Sequence, residues 1–318
     1  MDLSIIIVNY HSAGMVIDCI NSIREKTENN TYEIIVVDNA SGDGSVELLR
    51  QTFPEITVIA SDVNLGFGKA NNLGAKQAKG KYLFLLNPDT ILVNDAIGIL
   101  YRYLEANPST GVAGGNLYTP EMMPAPSFCR HFDDLMREKR SASWSYLIGS
   151  KVRDKLRLGA DGKFMEEFNY SEAPEKVAYI FGADMMLPRA LFEEVKGFDP
   201  DFFMYAEEEE LTWRITQRGF DVVCVPQAKI IHLEGATVKQ QNEFSPRQFK
   251  MRMNGTLTYY KKRFGQSGAA EFYRLRGLRY DRLMKIAKLQ GKFRPDMVAA
   301  VQRACLDEVY RDFNKGDT

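Results

Sequence analysis

Oxygen-bearing side chains stand directly after several short apolar runs, and Asp38 is the first of them that could do chemistry. It follows Ile34–Val37 and precedes the segment 39–45, which reads Asn-Ala-Ser-Gly-Asp-Gly-Ser. A carboxylate at the end of a strand can accept hydrogen bonds from a base or a ribose. The alternative is that Asp38 and Asp43 only build a tight turn and cap the helix that starts at Ser45.

A second candidate, Asn87-Pro88-Asp89, follows the apolar run Tyr82–Leu86. Because Pro88 biases the residue before it toward an extended conformation, the turn can hold two oxygen-bearing side chains on one side. Mg²⁺ takes one or two carboxylates and completes its shell with substrate phosphates. His232, directly after another apolar run, could add a nitrogen ligand to the same ion. The alternatives are an ordinary Asn-Pro-Asp turn and a histidine with a structural hydrogen bond.

A third candidate is the acidic run Glu207–Glu210, which follows the aromatic segment Phe202–Ala206. Consecutive helical residues are about 100° apart, so the four acids cannot share one direction, and the aromatic approach indicates a partly buried entry. A carboxylate there can hold its proton more tightly and act as a general base. The alternative is a solvated helical face that gains from the helix dipole. Arg214 is spaced for an ion pair with Glu210.

Two kinds of phosphate-binding motif bear on this sequence. The segment Gly66-Phe67-Gly68 partly matches the dinucleotide fingerprint, with Asp89 about 20 residues further on, but the third glycine is missing. A P-loop is absent, because no Gly-Lys pair is followed by Ser or Thr.

The elements that would position these residues form an alternating pattern over the first 120 residues. Predicted strands are Leu3–Asn9, Glu33–Asp38, Ile56–Ala60 and Lys81–Leu86, and predicted helices lie near 13–26, 45–52, 67–79 and 94–106. This order predicts right-handed βαβ units and a mainly parallel sheet. Since the strands are apolar throughout, helices should cover both faces, which gives a three-layer α/β domain whose ligands bind beyond the carboxyl ends of the strands.

The remainder of the chain divides less regularly. Residues 119–176 are predicted to be a variable insertion that could cover an acceptor or be a plain surface connection. Strands are predicted at Val222–Val225 and Ala228–Ile231, a helix from Pro188, and only helices beyond Gly235, including a seam on Phe249, Met253, Leu257, Tyr260 and Phe264. We therefore expect a domain over 1–235 and a helical extension over 236–318.

Composition limits the class of protein. The 318 residues are 45% apolar and 26% charged, with mean hydropathy −0.30 and no apolar window near the ~18 residues of a membrane-spanning helix. We expect a soluble, cytoplasmic protein. Its four cysteines form no C-x-x-C, so no zinc site or disulfide framework is predicted.

The net charge of −1 hides an uneven distribution. Residues 1–243 carry 24 basic and 35 acidic side chains, whereas residues 244–294, the basic segment, carry 14 basic and 2 acidic ones. This segment could contact an anionic membrane, bind nucleic acid or be a solvated helical face. Nucleic acid is the least favoured, because the remaining body is acidic.

Together these stretches resemble the family 2 inverting glycosyltransferases of the GT-A fold, especially the rhamnosyltransferase-like branch. The matching stretches run in family order over about three quarters of the chain: Ser4–Tyr10, Val36–Ser41, Asn64–Gly74, Leu86–Asp89, Phe181–Ala183, Gly197–Asp199 and Phe202–Leu211. The resemblance implies a GT-A domain with a C-terminal helical extension.

The resemblance also implies roles for individual residues. Asp38 would contact the nucleotide base, and the nucleotide pocket would be lined by Asn9, Tyr10, Asn64, Gly66 and Asn87. Asp89 stands where the second acid of the family's DxD motif binds a divalent metal, Mg²⁺ or Mn²⁺, and His232 matches a histidine that completes the metal shell in some relatives. Asn87 replaces the first acid of that motif.

The family's Glu-Asp pair falls on Glu207-Glu208, which makes Glu208 the expected catalytic base. Because the change from Asp to Glu lengthens the arm, Glu207 and Glu210 stay open as alternatives. Gly182 and Trp213 are assigned to the acceptor side. The Q-x-x-R-W signature of processive enzymes is missing, which favours transfer of single sugars.

The resulting hypothesis is an inverting, non-processive transfer of one sugar from dTDP-rhamnose or a UDP-sugar to a glycan or lipid-linked acceptor in cell-surface polysaccharide synthesis. A peripheral contact with the inner face of the plasma membrane through 244–294 and an oligomer are compatible with it. The competing hypotheses are a nucleotide-dependent oxidoreductase and a non-catalytic, membrane-associated scaffold.

Overall fold

The computed structural model describes residues 1–148, 167–233, 244–289 and 293–315. These residues group into two compact units. The first unit contains 1–132, 167–203 and 207–233, and the second contains 133–148, 204–206 and the described residues from 244 onward. The predicted domain boundary at 235, and residues 149–166 of the predicted insertion, lie outside the described residues, so that division of the chain stays a prediction.

The strands of the described residues alternate with helices as predicted for the first 120 residues. They are β1 (Leu3–Asn9), β2 (Tyr32–Asp38), β3 (Thr57–Ala60), β4 (Tyr82–Leu86), β5 (Thr90–Leu92), β6 (Thr110–Tyr118), β7 (Phe128–Cys129), β8 (Glu175–Lys176), β9 (Tyr179–Ile180), β10 (Asp184–Pro188) and β11 (Asp221–His232). The helices are α1 (Ala13–Lys26), α2 (Ser45–Thr52), α3 (Phe67–Ala75), α4 (Ala96–Ala106), α5 (Leu135–Ala142), α6 (Arg189–Glu194), α7 (Glu207–Thr216), α8 (Pro246–Leu289, interrupted at Gly265) and α9 (Phe293–Lys315).

Within the described part of the first unit, one sheet has the strand order β3-β2-β1-β4-β10-β6-β11-β5, with β8 paired to β11, and β7 and β9 form a separate pair. The neighbours β3, β2, β1 and β4 are parallel, and β6 is parallel to β11. β10, β5 and β8 run antiparallel to their partners, which makes the sheet mixed. The predicted parallel core is therefore confirmed.

Side chains that alternate along the central strands enter different cores on the two faces of the sheet. Ile5 and Ile7 of β1 belong to a core shared with Val16 and Ile20 of α1 and with residues of α4. Ile6 lies in the other core, with Leu191 and Phe192 of α6 and Leu211 and Ile215 of α7. Two buried faces explain the unbroken apolar strands, and the predicted three-layer arrangement is confirmed.

Two predicted elements differ from those observed. Helix α3 ends at Ala75 rather than 79, because the next residues form tighter turns in which Gln77 N–H donates to Gly74 O. The two strands predicted at 222–225 and 228–231 are one strand, β11, with a register shift between Cys224 and Lys229. Pro226, which cannot donate a ladder hydrogen bond, lies inside this irregularity.

The second unit is helical. The rings of Tyr273 on α8 and Tyr310 on α9 stack 3.9 Å apart, and Gly277 lies against Arg303, so the two helices run antiparallel. The predicted seam of α8 is confirmed at its centre, because Met253, Leu257 and Tyr260 are buried. Among the described residues, no helix combines the length and the apolar composition needed to span a bilayer.

Candidate active site

The chain brings most of the predicted site residues to one edge of the sheet. Asn9 and Asp38 are paired at the ends of β1 and β2, and Asn87-Pro88-Asp89 follows β4. β10 is antiparallel to β4 and pairs Asp184 with Leu86, so the turn 181–183 before β10 reaches the same edge. Carboxyl ends of parallel strands are where open α/β sheets bind ligands.

Asp38 is almost fully buried and is held by two hydrogen bonds. Its Oδ1 accepts from Nδ2 of Asn9 at 2.6 Å, and its Oδ2 accepts from the backbone N–H of Ser41 at 3.1 Å. Asn9 in turn accepts through Oδ1 from Ser12 N–H at 3.1 Å. The turn interpretation holds for Asp43, whose Oδ1 accepts from Ser45 N–H at the start of α2. Asp38 both shapes its turn and keeps a fixed position at the edge of the sheet.

An open cleft of about 590 Å³ lies beside this turn. Its lining includes Asp38, Ala40, Ser45, Ala60 and Ser61. The ring of Tyr10, 47% exposed, stands next to His11 with ring centroids 4.4 Å apart. His11 Nδ1 in turn lies 3.0 Å from Oδ2 of Asp43, which lines the cleft, and an exposed aromatic ring such as that of Tyr10 can stack on a base.

The segment Asn64–Gly66 is held by a residue to which the sequence analysis gave no role, Asn39. Its side chain contacts three groups of that segment, including Leu65 N–H, which donates to Asn39 Oδ1 at 2.7 Å. The only signal in the sequence is that Asn39 follows Asp38, since a contact with residues 25 positions away does not show in local patterns.

Gly66 lies against the segment that leads to the acidic run. It has φ of +78°, a Cβ at this position would overlap the carbonyl oxygen of Phe203, and the N–H of Phe67 donates to that oxygen at 3.0 Å. Glycine is required here by both the backbone conformation and the close approach. The start of α3 and the approach to α7 are therefore in direct contact.

Asp89 and His232 come together as the sequence analysis anticipated. The Nε2 of His232 lies 3.3 Å from Oδ1 of Asp89, and both side chains are largely buried. Two contacts bring them there: His232 pairs with Thr90 across β11 and β5, and Leu233 N–H donates to Asp89 O at 2.8 Å. One carboxylate and one imidazole are suitable donors for a divalent ion whose remaining ligands come from a diphosphate. No group of three or more His, Cys, Asp or Glu side chains suited to a metal occurs in the described ranges.

The four acids of α7 have different environments. Glu207, Glu209 and Glu210 are buried and Glu208 is partly exposed, so the predicted partly buried entry is confirmed and the alternative of a solvated face does not hold for three of the four. Glu210 forms the predicted ion pair with Arg214, with two N–O distances of 2.7 Å. Glu210 is thereby engaged in positioning α7, which leaves Glu208 better placed to meet a substrate.

Glu207 is the first residue of α7, and its Oε2 is buried without a hydrogen-bond partner. Burial, and then the charge of Glu208, raises the pKa of Glu207 well above its usual range. Burial thus favours the neutral form of this carboxyl, whereas the partly exposed Glu208 keeps access to solvent.

Gly182 lies between the start of α3 and Glu208. A Cβ on Gly182 would be 3.3 Å from the ring of Phe67 and 4.0 Å from Cβ of Glu208. The next residue, Ala183, accepts a hydrogen bond from Asn87 N–H at 2.9 Å. Contacts thus connect Asn87, the 181–183 turn and Glu208, while Trp213 is half-buried further along α7.

Asp184 is a second residue that the sequence analysis missed. It is fully buried, its Oδ2 accepts from Gly115 N–H at 2.6 Å, and its Oδ1 has no partner. Burial raises the pKa of Asp184 well above its usual range, although the hydrogen bond from Gly115 opposes this. A single acid in the apolar segment 183–187 gives no sign in the sequence that it is buried.

Comparisons with known proteins agree with this arrangement. The family model described as Glycosyl transferase family 2 matches residues 4–164, about half of the chain. A curated relative, N-acetylglucosaminyl-diphospho-decaprenol L-rhamnosyltransferase of Mycobacterium tuberculosis, is 27% identical over 210 residues, which are 63% of this chain and 66% of that protein. The chain thus spans slightly less than two thirds of this relative.

Two solved structures share the fold. A mannosyltransferase from Pyrobaculum calidifontis in complex with GDP-Man and Mn²⁺ superposes with a TM-score of 0.57 at 15% identity, covering 98% of this chain and 86% of that one. GalNAc-T7 with UDP, GalNAc and Mn²⁺ gives a TM-score of 0.55 at 16% identity, covering 73% and 43% of the two chains. On its family match and its fold, the chain belongs to the family 2 glycosyltransferases and has the GT-A architecture.

Proposed function

We propose that this glycosyltransferase moves one sugar, with inversion at the anomeric carbon, from a dTDP- or UDP-linked donor to a glycan or lipid-linked acceptor used in cell-surface polysaccharide synthesis. The observation that carries the proposal is the position of Glu208: it is the partly exposed acid of α7 and lies beside the turn whose Ala183 binds Asn87. The rhamnosyltransferase relative supports a rhamnose donor and a lipid-linked acceptor.

The donor nucleotide is proposed to bind along the edge formed by β2, β1 and β4. Asp38 would face the base, with Asn9 fixing its orientation, and Tyr10, Asn64 and Gly66 would line the pocket. Asn87 would border the donor next to Asp89. This placement is supported by the cleft beside Asp38 and by the hydrogen bonds that fix the two loops.

Asp89 and His232 fit a divalent cation, Mg²⁺ or Mn²⁺, because they present one oxygen and one nitrogen donor within 3.3 Å of each other. Such an ion would neutralise the charge that develops on the diphosphate. Two solved relatives of the same fold contain Mn²⁺ with a nucleotide or nucleotide sugar, which supports this cofactor.

In the proposed reaction, the acceptor oxygen forms a bond to the anomeric carbon while the bond from that carbon to the diphosphate breaks. Glu208 takes the proton of the acceptor hydroxyl, and the electron pair of the broken bond leaves with the diphosphate. Burial raises the pKa of Glu207, and Glu210 is paired with Arg214, so neither is proposed as the base. Gly182 keeps open the space beside Glu208, and with Trp213 it is assigned to the acceptor side.

The oxidoreductase hypothesis is not favoured. A dinucleotide fingerprint binds the pyrophosphate with free N–H groups at the start of a helix. Here the N–H of Phe67, the first residue of α3, donates to Phe203 O. Gly66 packs on the same carbonyl group. Phe67 N–H is therefore engaged within the protein and does not offer the donor that a dinucleotide fingerprint needs.

The basic segment is proposed to contact an anionic membrane. The surface that supports this lies in the second unit, where α8 ends and α9 begins. Large apolar side chains are exposed there: Leu289 by 86%, Met297 by 53% and Val301 by 39%. Lys285 and Lys288 are exposed on the same end of α8. Apolar side chains next to lysines are typical of surfaces that bind the interface of an anionic bilayer.

The proposed function is tested by incubating the protein with dTDP-rhamnose and a panel of UDP-sugars, with and without Mn²⁺, and measuring nucleotide release. We expect release from one donor class that requires Mn²⁺ and is abolished by EDTA. Asp89→Asn should lose most of the Mn²⁺-dependent activity, whereas Asp95→Asn, which alters the N-cap of α4, should retain it. A response to NAD(P)H with no nucleotide-sugar turnover would contradict the proposal.

A further inference from the structure

Asn39 is a buried residue whose side chain is fully engaged. Its Nδ2 donates to Asn64 Oδ1 at 3.0 Å and to Gly66 O at 3.3 Å, and its Oδ1 accepts from Leu65 N–H at 2.7 Å. Its own N–H donates to Asn9 O at 2.8 Å. Rotating the amide by 180° would turn the NH₂ group toward the Leu65 N–H, so the hydrogen-bond pattern fixes the orientation of the side chain.

These contacts connect the ends of two strands to a separate loop. Asn39 directly follows Asp38, and its three side-chain partners are consecutive residues of the 64–66 segment. Asn64 Oδ1 also accepts from Gly66 N–H at 3.0 Å, so the amide of Asn39 and the backbone of the loop share one acceptor. One side chain therefore fixes the conformation of all three loop residues.

Gly66 is the residue of this loop whose conformation most needs to be restrained. Gly66, with φ of +78° and ψ near 180°, adopts a conformation that is essentially restricted to glycine, and glycine has the largest conformational freedom to lose. The hydrogen bond to Gly66 O and the packing of Gly66 on Phe203 oppose that freedom from two sides.

We infer that Asn39 is a positioning residue of the nucleotide pocket: its amide holds Asn64 and Gly66 at the correct distance from Asp38, so that the two sides of the pocket are preorganised before the donor binds. The inference rests on the proposed function, which puts Asp38, Asn64 and Gly66 at the nucleotide. Preorganisation strengthens binding because the cost of ordering the loop is met during folding.

The test compares three variants by titration calorimetry with UDP and with dTDP in the presence of Mn²⁺. Asn39→Ala should weaken nucleotide binding by roughly tenfold or more, because Leu65 N–H loses its acceptor while Asn64 Oδ1 and Gly66 O each lose a donor. Asn39→Asp should weaken it at least as much at pH 8, because a carboxylate oxygen would then face the acceptors Asn64 Oδ1 and Gly66 O. Lowering the pH should bring the nucleotide affinity of Asn39→Asp closer to that of the wild type, since a protonated carboxyl can donate one hydrogen bond.

The matched control is Asn116→Ala. Asn116 is also buried, and its amide holds the backbone of a distant residue, donating to Asn169 O at 2.7 Å and accepting from Asn169 N–H at 3.3 Å. This variant should melt at a lower temperature but bind UDP and dTDP within about twofold of the wild type. Equal weakening by Asn39→Ala and Asn116→Ala would show a general loss of stability and overturn the inference.

Hydrogen exchange separates failure of this inference from failure of the proposed function. In the free protein, Asn39→Ala should speed exchange of the peptide that contains Leu65 and Gly66, while Asn116→Ala should not. Unchanged exchange and unchanged UDP affinity in Asn39→Ala would overturn the positioning role alone. A wild-type protein that binds neither nucleotide would overturn the proposed function, and with it the assignment of Asn39 to a nucleotide pocket.

Discussion

At the scale of single residues, four consecutive glutamates have different chemistry because α7 turns each toward a different environment. Burial raises the pKa of Glu207, Glu210 is paired with Arg214, and Glu208 keeps partial access to solvent. The sequence could predict that the four would diverge, since helical geometry requires it. It could not predict which one would be accessible, because this depends on contacts with residues outside α7, such as Gly182 beside Glu208.

The first prediction separates the roles of two of these acids. Glu208→Gln should lower sugar transfer about 10²–10⁴-fold, the usual contribution of a general base, and leave UDP affinity unchanged. Glu210→Gln should instead lower the midpoint of urea unfolding, because Arg214 is left largely buried without its charge partner. Initial rates, calorimetry and urea titrations of both variants check this. Near wild-type turnover by Glu208→Gln would exclude it as the base.

The second prediction concerns the buried Asp184. Its pKa is near 3.9 in an unfolded chain and well above that in the folded protein, so folding is favoured most below the unfolded pKa. As the pH rises through the folded pKa, this contribution is lost, at a rate of up to about 1.4 kcal/mol per pH unit. The side chain that Asp184→Asn introduces cannot titrate. The difference between the free energies of unfolding of variant and wild type should therefore shift in favour of the variant as the pH rises from 4.5 to 8.

Urea unfolding of both proteins at several pH values measures this difference. If the free energies of unfolding of the wild type and Asp184→Asn changed in parallel with pH, the prediction that burial raises the pKa of Asp184 would be wrong.

At the scale of elements, local patterns were enough to locate most helices and strands. The apolar runs 3–9 and 82–86 and the helix at 45–52 are found where they were expected. The predictions were wrong where tertiary contacts determine the extent of an element. β11, for example, continues through Pro226 because it pairs with β6 on both sides of the irregularity. The meeting of Asp89 and His232 was anticipated from their positions after strands, whereas the contacts of Asn39 depend on how a loop folds back.

The third prediction tests a close approach within the second unit. A Cβ on Gly255 of α8 would overlap Tyr205 O and lie 2.9 Å from Met204 O, in a turn where Tyr205 and Ala206 already have positive φ. Gly255→Ala should therefore lower the free energy of unfolding by roughly 1–3 kcal/mol, as overpacking does. Urea denaturation followed by circular dichroism measures the change.

Gly277→Ala in the same helix is the control. Its Cβ would meet the end of the flexible Arg303 side chain at 3.0 Å, which can move aside. This variant should be neutral or more stable, because alanine favours the helix by about 1 kcal/mol over glycine. An equal decrease in the free energy of unfolding of both variants would contradict the prediction, because it would show that the backbone of the turn 204–206 moves aside as easily as a side chain.

At the scale of the whole molecule, the uneven charge separates an acidic N-terminal part from the basic segment, residues 244–294. Leu289, in the same part of the chain, is exposed, and exposed Met297 and Val301 follow at the start of α9, a feature that a charge count does not show. Charge alone would equally suit a solvated helical face. Exposed apolar side chains beside lysines favour a lipid surface, because burying them in the interface gains free energy that water cannot provide.

The fourth prediction follows from this combination. The protein should co-sediment with vesicles that contain 30% phosphatidylglycerol, and binding should weaken as NaCl rises, since each lysine or arginine near an anionic surface contributes about 1 kcal/mol that salt screens. Leu289→Asp should reduce the bound fraction by adding a charge where an apolar side chain would enter the interface. Leu48→Asp, at an exposed leucine of α2, adds the same charge to the first unit and should bind as the wild type does. Binding that is equal on neutral and anionic vesicles, or equally reduced in both variants, would contradict a membrane contact through the end of α8 and the start of α9.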